Sequence, residues 1–426
     1  MKIAIITVGS LGDTAPFIGL GARLRAAGHD VAVAAQASFE GPIRDAGLEF
    51  RKMPGDIRAD LASEMGQKLH KASSWLKAFP ATLWLAEKIL SELAEGIVAA
   101  AEGAELLIIH RIALMHGHMV ANAMKIPCLV LELFPSGLAP TGEFLPAGFG
   151  PTSLGNWGNR AVYQMMRASA GKSKKYIASL EDFQTKFGLP RIAPAALYES
   201  MDSERWPIFH AFSPSVVPRP ADWREGLEII GYFWPVRPRQ WEPPAQIVDF
   251  LDAGPPPVFI GFGSLVPDEA GRLSELVTKA VRQAKVRAIV QAGWGNLEAV
   301  TGDDILTIGS VPHDWLFPKM AAVVHAAGAG VTAAGLRAGV PAIPIPAMND
   351  QPFWADRLAK LGVAPGWIRF QKLTAERLAF FIGQAVTQPS HRRAALSLSE
   401  RIRTEDGAGR IVQAVSAIDD GRVTAA

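Results

Sequence analysis

The segment 323–354, VVHAAGAGVTAAGLRAGVPAIPIPAMNDQPFW, concentrates residue types that can hold a diphosphate. His325 stands at the end of an apolar run typical of a buried strand, and the small residues after it let backbone N–H groups approach a ligand closely. A helix predicted from about Gly330 to Ala338 directs the positive end of its dipole toward that ligand. The alternative interpretation is a buried strand and an Ala/Gly-rich helix, with His325 a hydrogen-bonded core histidine.

Asp350 and Gln351 follow the next predicted strand and can hydrogen-bond hydroxyl groups. A diphosphate site next to hydroxyl-binding groups indicates a nucleotide sugar.

A second group of residues, GSLGDTAP (9–16), directly follows the first predicted strand. Gly9 and Gly12 permit a tight turn, and Pro16 suits the first position of a helix. Asp13 at the end of this strand can act as a general base toward a substrate hydroxyl. The alternative is that Asp13 caps the helix that begins at Pro16.

The segment IGFGSLVP (260–267) is a partial dinucleotide fingerprint. Val266 occupies the third glycine position, so this match is weak support for NAD binding. Ser264 is either a phosphate contact or a simple turn serine. His313 is interpreted either as a neighbour of a nucleobase or as the cap of a short helix.

Three histidines, His110, His116 and His118, cluster around one strand-to-helix connection. No acidic residue lies at a metal-ligand spacing from them, so we expect no metal site. Aromatic residues are frequent between 134 and 163, and they line an apolar acceptor pocket or belong to the core. They include Phe134, Phe144, Phe149, Trp157 and Tyr163.

These residues must be positioned by two α/β halves. Apolar runs predict six strands in the first half, at 2–8, 30–35, 48–52, 105–110, 127–133 and 207–213, alternating with helices. After WPVRPRQWEPP (234–244), which predicts a stiff linker, the strand–helix pattern restarts. We expect two doubly wound, Rossmann-like domains facing a cleft: 1–233, joined by a returning C-terminal helix at about 404–426, and 245–403.

Composition excludes several classes of function. Lys and Arg total 43 and Asp and Glu total 41, which argues against nucleic-acid binding as the main role. Cys128 is the single cysteine, so neither an intramolecular disulfide nor a cysteine-rich metal site can form. The first residues suit a strand better than a signal peptide, and no run of about twenty residues is apolar enough to span a bilayer. We expect a cytoplasmic protein, either a monomer or a homodimer.

The chain resembles GT-B-fold inverting glycosyltransferases of the UDP-glycosyltransferase superfamily, the group that glycosylates sterols, macrolides and glycopeptide aglycones. GSLGDTAP resembles the family's GSRGDVxP, and GFGSL matches the end of a strand in its second domain. VVHAAGAGVTAAGLRAGVP resembles VVHHGGAGTTAAGLRAGVP, and NDQPFWADRL resembles GDQPFWGxRV. The tail EDGAGRIVQAV (405–415) is similar to the family's final helix, which crosses back onto the first domain.

The resemblance implies a catalytic base at Asp13 and a single inverting displacement that needs no metal or other cofactor. The acceptor site is expected at Phe134, Phe144 and Phe149. The implied donor-binding positions are Ser10, Gly12, Ser264, Val311, His313, His325, Gly328, Ala329, Gly330, Val331, Asn349, Asp350 and Gln351.

The chain departs from the family pattern at the donor site. Ala326 and Ala327 replace a His-Gly pair, Val331 replaces a Thr, and Asn349 replaces a Gly. Ser310 stands where plant relatives stack an aromatic on uracil, so the base is open between UDP and dTDP.

Three functions follow as hypotheses. The first is transfer of a hexose, with UDP-glucose favoured as donor, to a hydroxyl of a lipophilic small molecule such as a sterol, macrolide or polyether. The second is epimerisation of a sugar nucleotide, which needs no acceptor. The third is non-catalytic binding of a sugar nucleotide, which the departures at Ala326, Ala327 and Val331 favour. Asp13, in the expected position for a base, argues against this third hypothesis.

Overall fold

A computed structural model describes residues 1–71, 75–150, 153–170, 174–238, 240–265, 270–298 and 302–421. The first domain contains, in chain order, β1 (Lys2–Ile6), α1 (Leu11–Ala26), β2 (Asp30–Gln36), α2 (Glu40–Asp45), β3 (Glu49–Met53), α3 (Ile57–Ala62), α4 (Glu64–Lys71), α5 (Trp75–Ala101), β4 (Leu106–His110), α6 (Leu114–Met124), β5 (Cys128–Glu132), α7 (Gly155–Ala170), α8 (Lys174–Lys186), α9 (Pro194–Ser203), β6 (Ile208–His210) and β7 (Leu227–Ile229).

The second domain begins after the proline-rich linker. It contains α10 (Ala245–Asp252), β8 (Val258–Gly261), α11 (Ala270–Ala284), β9 (Ala288–Gln291), β10 (Ile305–Ile308), α12 (His313–Leu316), β11 (Ala322–His325), α13 (Ala329–Ala338), β12 (Ala342–Pro344), α14 (Gln351–Lys360), α15 (Ala375–Thr387) and α16 (Pro389–Arg403). The chain then returns to the first domain as α17 (Gly407–Asp419).

Both sheets are parallel throughout. The first has the strand order β3-β2-β1-β4-β5-β6-β7, and the second has β10-β9-β8-β11-β12. The prediction of two doubly wound α/β domains is confirmed. Strand β7 and helices α3, α4, α9 and α10 are not in the sequence-based prediction.

Strand β1 shows why these sheets are covered on both faces. Ile3 and Ile5 pack into the core on the α1 side, whereas Ala4 and Ile6 pack into the core on the α5 side. Because side chains alternate across a strand, a continuous apolar run supplies both cores at once. Strand β1 is therefore buried on both faces.

Helix α17 packs on the first domain. Its apolar residues Ala408, Ile411 and Val415 belong to the same core as Ile3 and Phe17. The sequence predicts a single helix over 390–418, but the structure divides it into α16 and α17. Asp406 caps the new start by accepting the N–H of Gly409 (3.0 Å).

Helix α1 starts earlier than the sequence predicts. It begins at Leu11 with Ser10 as its N-cap residue, and Pro16 lies inside it. Proline lacks an N–H and cannot donate to the carbonyl of Gly12, yet the helix continues because the remaining turns are packed against the sheet. No helix in the described part of the chain is long and apolar enough to cross a membrane.

Candidate active site

A cavity of about 1870 Å³ lies between the two domains. Its walls come from loops at the carboxyl ends of strands in both sheets, from helices α3, α4 and α5, and from the linker. The segment 9–16 after β1 faces segments 326–331 and 346–352, which follow β11 and β12. Ligands of doubly wound sheets bind at this edge, where helix N-termini and loops converge.

Asp13 is the third residue of α1; it is half-buried and lines the cavity. Its Oδ2 accepts hydrogen bonds from the backbone N–H (2.8 Å) and the hydroxyl (2.9 Å) of Ser10. Burial raises the pKa of the Asp13 carboxyl, and the Ser10 bonds and the charge of Arg111 offset only part of this rise. Oδ1 accepts no hydrogen bond from the described residues, so it is open to receive a proton.

The alternative that Asp13 caps a helix beginning at Pro16 is wrong, because the helix begins at Leu11 and Ser10 is the N-cap residue. The bonds to Ser10 still stabilise the first turn while the carboxylate faces the cleft. Asp13 thus has both a local structural role and a position suited to chemistry.

Gly9 makes room for this carboxylate. Its φ of 135° is in the region that favours glycine, and a Cβ there would lie 2.4 Å from Asp13 Oδ2. The turn between β1 and α1 therefore requires glycine to bring the backbone this close to the base. Ser10 and Gly12 also line the cavity.

The N-terminus of α13 faces the start of α1 across the cleft. Gly328 is its N-cap residue, and Ala329, Gly330 and Val331 form its first turn on the cavity wall. The N–H groups of a first turn have no intrahelical acceptor. The N–H of Ala329 is directed at the Asp350 carboxyl, and those of Gly330 and Val331 remain available to an anion. A Cβ on Gly330 would lie 3.3 Å from the Cα of Gly12, so the two domains meet at this point.

His325 lies behind this helix start. Its side chain is 1% exposed and is not among the residues that line the cavity. Nδ1 accepts the N–H of Ala327 (3.0 Å), which leaves Nε2 as the protonated nitrogen. Burial lowers the pKa of His325 to about 3, so it is neutral at physiological pH. Its role as a diphosphate contact stays a prediction.

Ala327 has a φ of 61°, at the position where the resembling family has glycine. Its fully buried methyl group packs in the core with Phe353 and Trp354. The turn that family members make with glycine is therefore kept by this alanine, and the apolar contact offsets part of the cost of the left-handed backbone.

Asp350 is the N-cap residue of α14 and lines the cavity. Its Oδ2 accepts the indole N–H of Trp354 (2.9 Å). Burial raises the pKa of the Asp350 carboxyl to about 7, and the negative charge of Asp13 adds to this rise. The two carboxylates therefore interact across the cleft.

Half of the hydrogen-bonding groups of the Gln351 side chain are already used within the protein. Its Oε1 accepts the N–H groups of Ala347 (2.8 Å) and Met348 (3.1 Å), so only its amide N–H groups remain for a ligand. Asn349 has a φ of 51°, a conformation that asparagine tolerates better than most residues. This explains how it replaces the glycine of the family.

Ser264, Val311 and His313 also line the cavity, as does the exposed Ser310. His313 is the first residue of α12 and stacks on Phe317 with ring centroids 4.2 Å apart. Because Pro312 is the N-cap residue, the interpretation of His313 as a helix cap is wrong. Burial lowers the pKa of His313 to about 4.

The predicted aromatic pocket residues divide into two groups. Phe134 and Phe149 line the cavity, but Phe144 does not and packs edge-on against Phe353. Trp157 is 85% exposed on α7, and Tyr163 is fully buried. Sequence alone does not separate these cases, because aromatic residues occur in cores, pockets and surfaces alike.

The sequence indicates acceptor loops at about 56–85 and 134–160, but it does not indicate which residues of 56–85 wall the apolar chamber that the first domain forms. This chamber is the part of the cavity walled by Ile57, Leu61, Leu69, Leu85, Ile89 and Phe134. The spacing of Leu85 and Ile89, four residues apart on α5, is the signal that marks one wall-facing stripe. Arg111, at the end of β4, also lines the cavity and has no role in the sequence-based prediction.

The three clustered histidines have separate surroundings. His116 contacts the ring of Phe183 and His118 that of Trp206, and His110 lies edge-on to Phe17. Within the described ranges no group of three or more His, Cys, Asp or Glu side chains is arranged to hold a metal ion.

Two family models match the chain. Residues 3–136 match the glycosyltransferase family 28 N-terminal domain, and residues 278–418 match the C-terminal domain of erythromycin biosynthesis protein CIII-like proteins. The fold is that of solved glycosyltransferases. The glycotransferase of kitacinnamycin superposes with a TM-score of 0.71 at 18% identity, covering 97% of this chain and 98% of that one. VinC in complex with dTDP gives 0.66 at 19% identity, with 99% and 100% covered.

Relatives with named activities extend over nearly the whole chain. The sterol 3-beta-glucosyltransferase UGT80B1 of Arabidopsis thaliana is 32% identical over 97% of this chain and 67% of its own length. For UGT80A2 of the same plant the identity is 31%, and this chain spans 65% of its length. The O-mycaminosyltylonolide 6-deoxyallosyltransferase of Streptomyces fradiae is 32% identical over 96% of this chain and 95% of its own length. The chain therefore belongs to the GT-B-fold glycosyltransferase family that includes sterol 3-beta-glucosyltransferases and macrolide glycosyltransferases.

Proposed function

We propose that this protein transfers a hexose from a nucleoside diphosphate sugar to a hydroxyl of a lipophilic small molecule, with inversion at the anomeric carbon. One observation carries the proposal. The open oxygen of Asp13 shares a single cavity with an apolar chamber and with the N-terminus of α13. One cavity therefore holds a base, a space for an acceptor and a site for an anion.

The reaction proceeds in one displacement. The ionised Asp13 carboxylate takes the hydroxyl proton as the acceptor oxygen forms its bond to the anomeric carbon. The bond from that carbon to the diphosphate oxygen breaks, and the nucleoside diphosphate leaves with the electron pair. The first-turn N–H groups of α13 stabilise the charge that develops on the leaving oxygen. This electrostatic role of the helix start supports metal-independent transfer.

Glucose is favoured as the transferred sugar. Asp350 supplies a hydrogen-bond acceptor and Gln351 an amide donor on the cavity wall, and this pair suits a sugar with free hydroxyls. Ser310, small and exposed, provides no ring to stack on the base, so it does not separate UDP from dTDP. UDP-glucose is favoured as the donor, and a dTDP-sugar is the alternative. The apolar chamber favours a transferase over an epimerase, since an epimerase has no acceptor to hold.

The test is a mass-spectrometric matrix of UDP- and dTDP-sugars against sterol, macrolide, polyether and flavonoid acceptors, with EDTA present. We expect a product heavier by one hexose. Epimerised sugar nucleotide formed without acceptor would establish the epimerase instead. Tight nucleotide binding without turnover across the panel would indicate a non-catalytic binder.

Asp13→Ala should lower turnover by about 10²–10⁴-fold, the usual contribution of a general base, and leave nucleotide affinity largely unchanged. The exposed Asp30, replaced by alanine, is the matched control and should keep full activity. Turnover is measured at saturating donor and nucleotide affinity by calorimetry. Normal turnover by Asp13→Ala would show that another group is the base.

A further inference from the structure

One cation stands in the part of the cavity that the first domain builds. Among the described residues of 1–233 that line the cavity, Arg111 is the only lysine or arginine. It follows β4 directly, and its side chain is 34% exposed. Asp13 and Asp45 are the other charged side chains among these residues, and the rest of the first-domain wall is uncharged.

Glu132 and Phe134 hold the Arg111 side chain in place. Its Nε lies 3.9 Å from Oε1 of the buried Glu132, and its guanidinium carbon lies 5.1 Å from the centre of the Phe134 ring. Glu132 already has closer partners, since it accepts the Ser136 hydroxyl and lies 3.1 Å from Nε2 of His210. Glu132 therefore attracts the guanidinium by its charge and leaves the N–H donors of Arg111 unused.

The donors of Arg111 are unused. A guanidinium carries five N–H groups, yet within the described part of the chain Arg111 makes no hydrogen bond, and its Nε is shielded from solvent. A purely hydrocarbon ligand in the chamber would displace water from these groups and leave them unpaired, which is costly. A ligand that brings an oxygen acceptor to the guanidinium avoids this cost.

We infer that Arg111 selects the acceptor: the preferred substrate is a lipophilic hydroxy compound with a carboxylate or carbonyl oxygen close to the hydroxyl that receives the sugar. This inference rests on the proposed function, because it places the acceptor in the chamber next to Asp13. Arg111 and Asp13 line the same cavity, and the charge of Arg111 acts on the Asp13 carboxyl, so a group bound to Arg111 shares the cavity with the base. A sterol whose single oxygen is the reacting hydroxyl does not supply the second oxygen.

The test compares two acceptors that differ in one group, 3-hydroxy-2-naphthoate and 2-naphthol. Their binding to the full chain is measured by calorimetry without donor, for the wild type, Arg111→Gln and Arg111→Lys. Arg44→Gln, an exposed arginine on α2 of the same domain, is the matched control.

We expect Arg111→Gln to weaken binding of the naphthoate by about 10- to 100-fold, as for a hydrogen bond to a charged group, and binding of 2-naphthol by less than about threefold. Arg111→Lys keeps the charge beside Glu132 but not the planar fork of donors. Its affinity for the naphthoate should therefore lie between those of the wild type and of Arg111→Gln. It also carries the test if Arg111→Gln does not fold. Equal losses for both acceptors would overturn the inference. If both bind as expected but neither receives sugar, the proposed function fails and the assignment of Arg111 stands.

Discussion

Asp13 and Asp350 both line the cleft, but their different hydrogen-bond partners and burial suit them to different roles. Asp13 has one oxygen held by Ser10 and the other open, which suits a base. Asp350 has one oxygen held by the indole of Trp354 and a pKa raised to about 7 by burial and by Asp13. Asp350 therefore exchanges its proton with solvent near neutral pH, and the charge of Asp13 favours its protonated form.

Asp350→Asn should make the protein more stable at high pH. The native pKa of about 7 lies above the unfolded value of 3.8, so the native state binds more protons, and stability falls as pH rises from about 4 through 7. Asparagine can still accept the Trp354 N–H but does not ionise. We expect its advantage to be roughly 1–2 kcal/mol larger at pH 8 than at pH 5, discounted because the group is partly exposed.

The measurement is the apparent melting temperature of both proteins at pH 5 and pH 8. The exposed Asp249 on α10, replaced by asparagine, serves as the control and should give the same difference at both pH values. Turnover of Asp350→Asn should fall in spite of the added stability, because a sugar contact is lost. An identical stability change at both pH values would show that Asp350 ionises normally.

At the scale of elements, α1 is constrained at its first turn and at its middle. Its first turn carries the base, and its middle is crossed by the linker that leaves the first domain. A Cβ at Gly19 would lie 2.0 Å from the carbonyl oxygen of Trp234. The glycine in the middle of this helix is therefore a packing requirement, although helices generally disfavour glycine.

Gly19→Ala should destabilise the protein by roughly 1–3 kcal/mol, because the atom it meets belongs to the backbone and cannot rotate away. Gly41→Ala on α2 is the matched control, since a Cβ there has no neighbour within 4 Å. It should be neutral or stabilising by up to about 1 kcal/mol. Apparent melting temperatures compare the two variants. A Gly19→Ala protein as stable as Gly41→Ala would mean that the linker moves away from α1 without cost.

At the scale of the molecule, the domains are joined at several places around the cleft. The starts of α1 and α13 touch at Gly12 and Gly330, and the guanidinium carbon of Arg337 lies 4.2 Å from the centre of the Trp234 ring in the linker. Near α17, Ser213 donates its hydroxyl to Glu405 (2.6 Å). The distance between base and diphosphate site is thus set by contacts between the domains.

Gly330→Ala should separate the two helix starts by a few tenths of an ångström, since its Cβ would lie 3.3 Å from both the Cα and the carbonyl oxygen of Gly12. Because transfer needs close alignment of the reacting atoms, we expect kcat to fall by about tenfold. Gly335→Ala, in the same helix with no neighbour within 4 Å, should keep its kcat. Steady-state kinetics and nucleotide binding are measured together. Unchanged kcat for Gly330→Ala would show that turnover does not need this contact.

The sequence by itself determined the alternation of strands and helices in two halves, the parallel sheets and the segments that meet in the cleft, but not the strand β7 or the short helices α3, α4, α9 and α10. The runs at β1 and β11 and the glycines after them are local signals, and local geometry places Asp13 and the start of α13 at strand ends. These inferences hold because strand and turn preferences act over a few residues.

Only the tertiary structure decided which polar atoms remain available to a ligand. Gln351 gives its oxygen to the loop before it, and His325 lies behind the cavity wall. Arg111 depends on Glu132, twenty-one positions later in the chain, and on its packing against Phe134. Whether a polar group can bind a ligand depends on which other groups lie within hydrogen-bonding distance of it. Those neighbours come from distant parts of the chain, so no local sequence pattern reveals them.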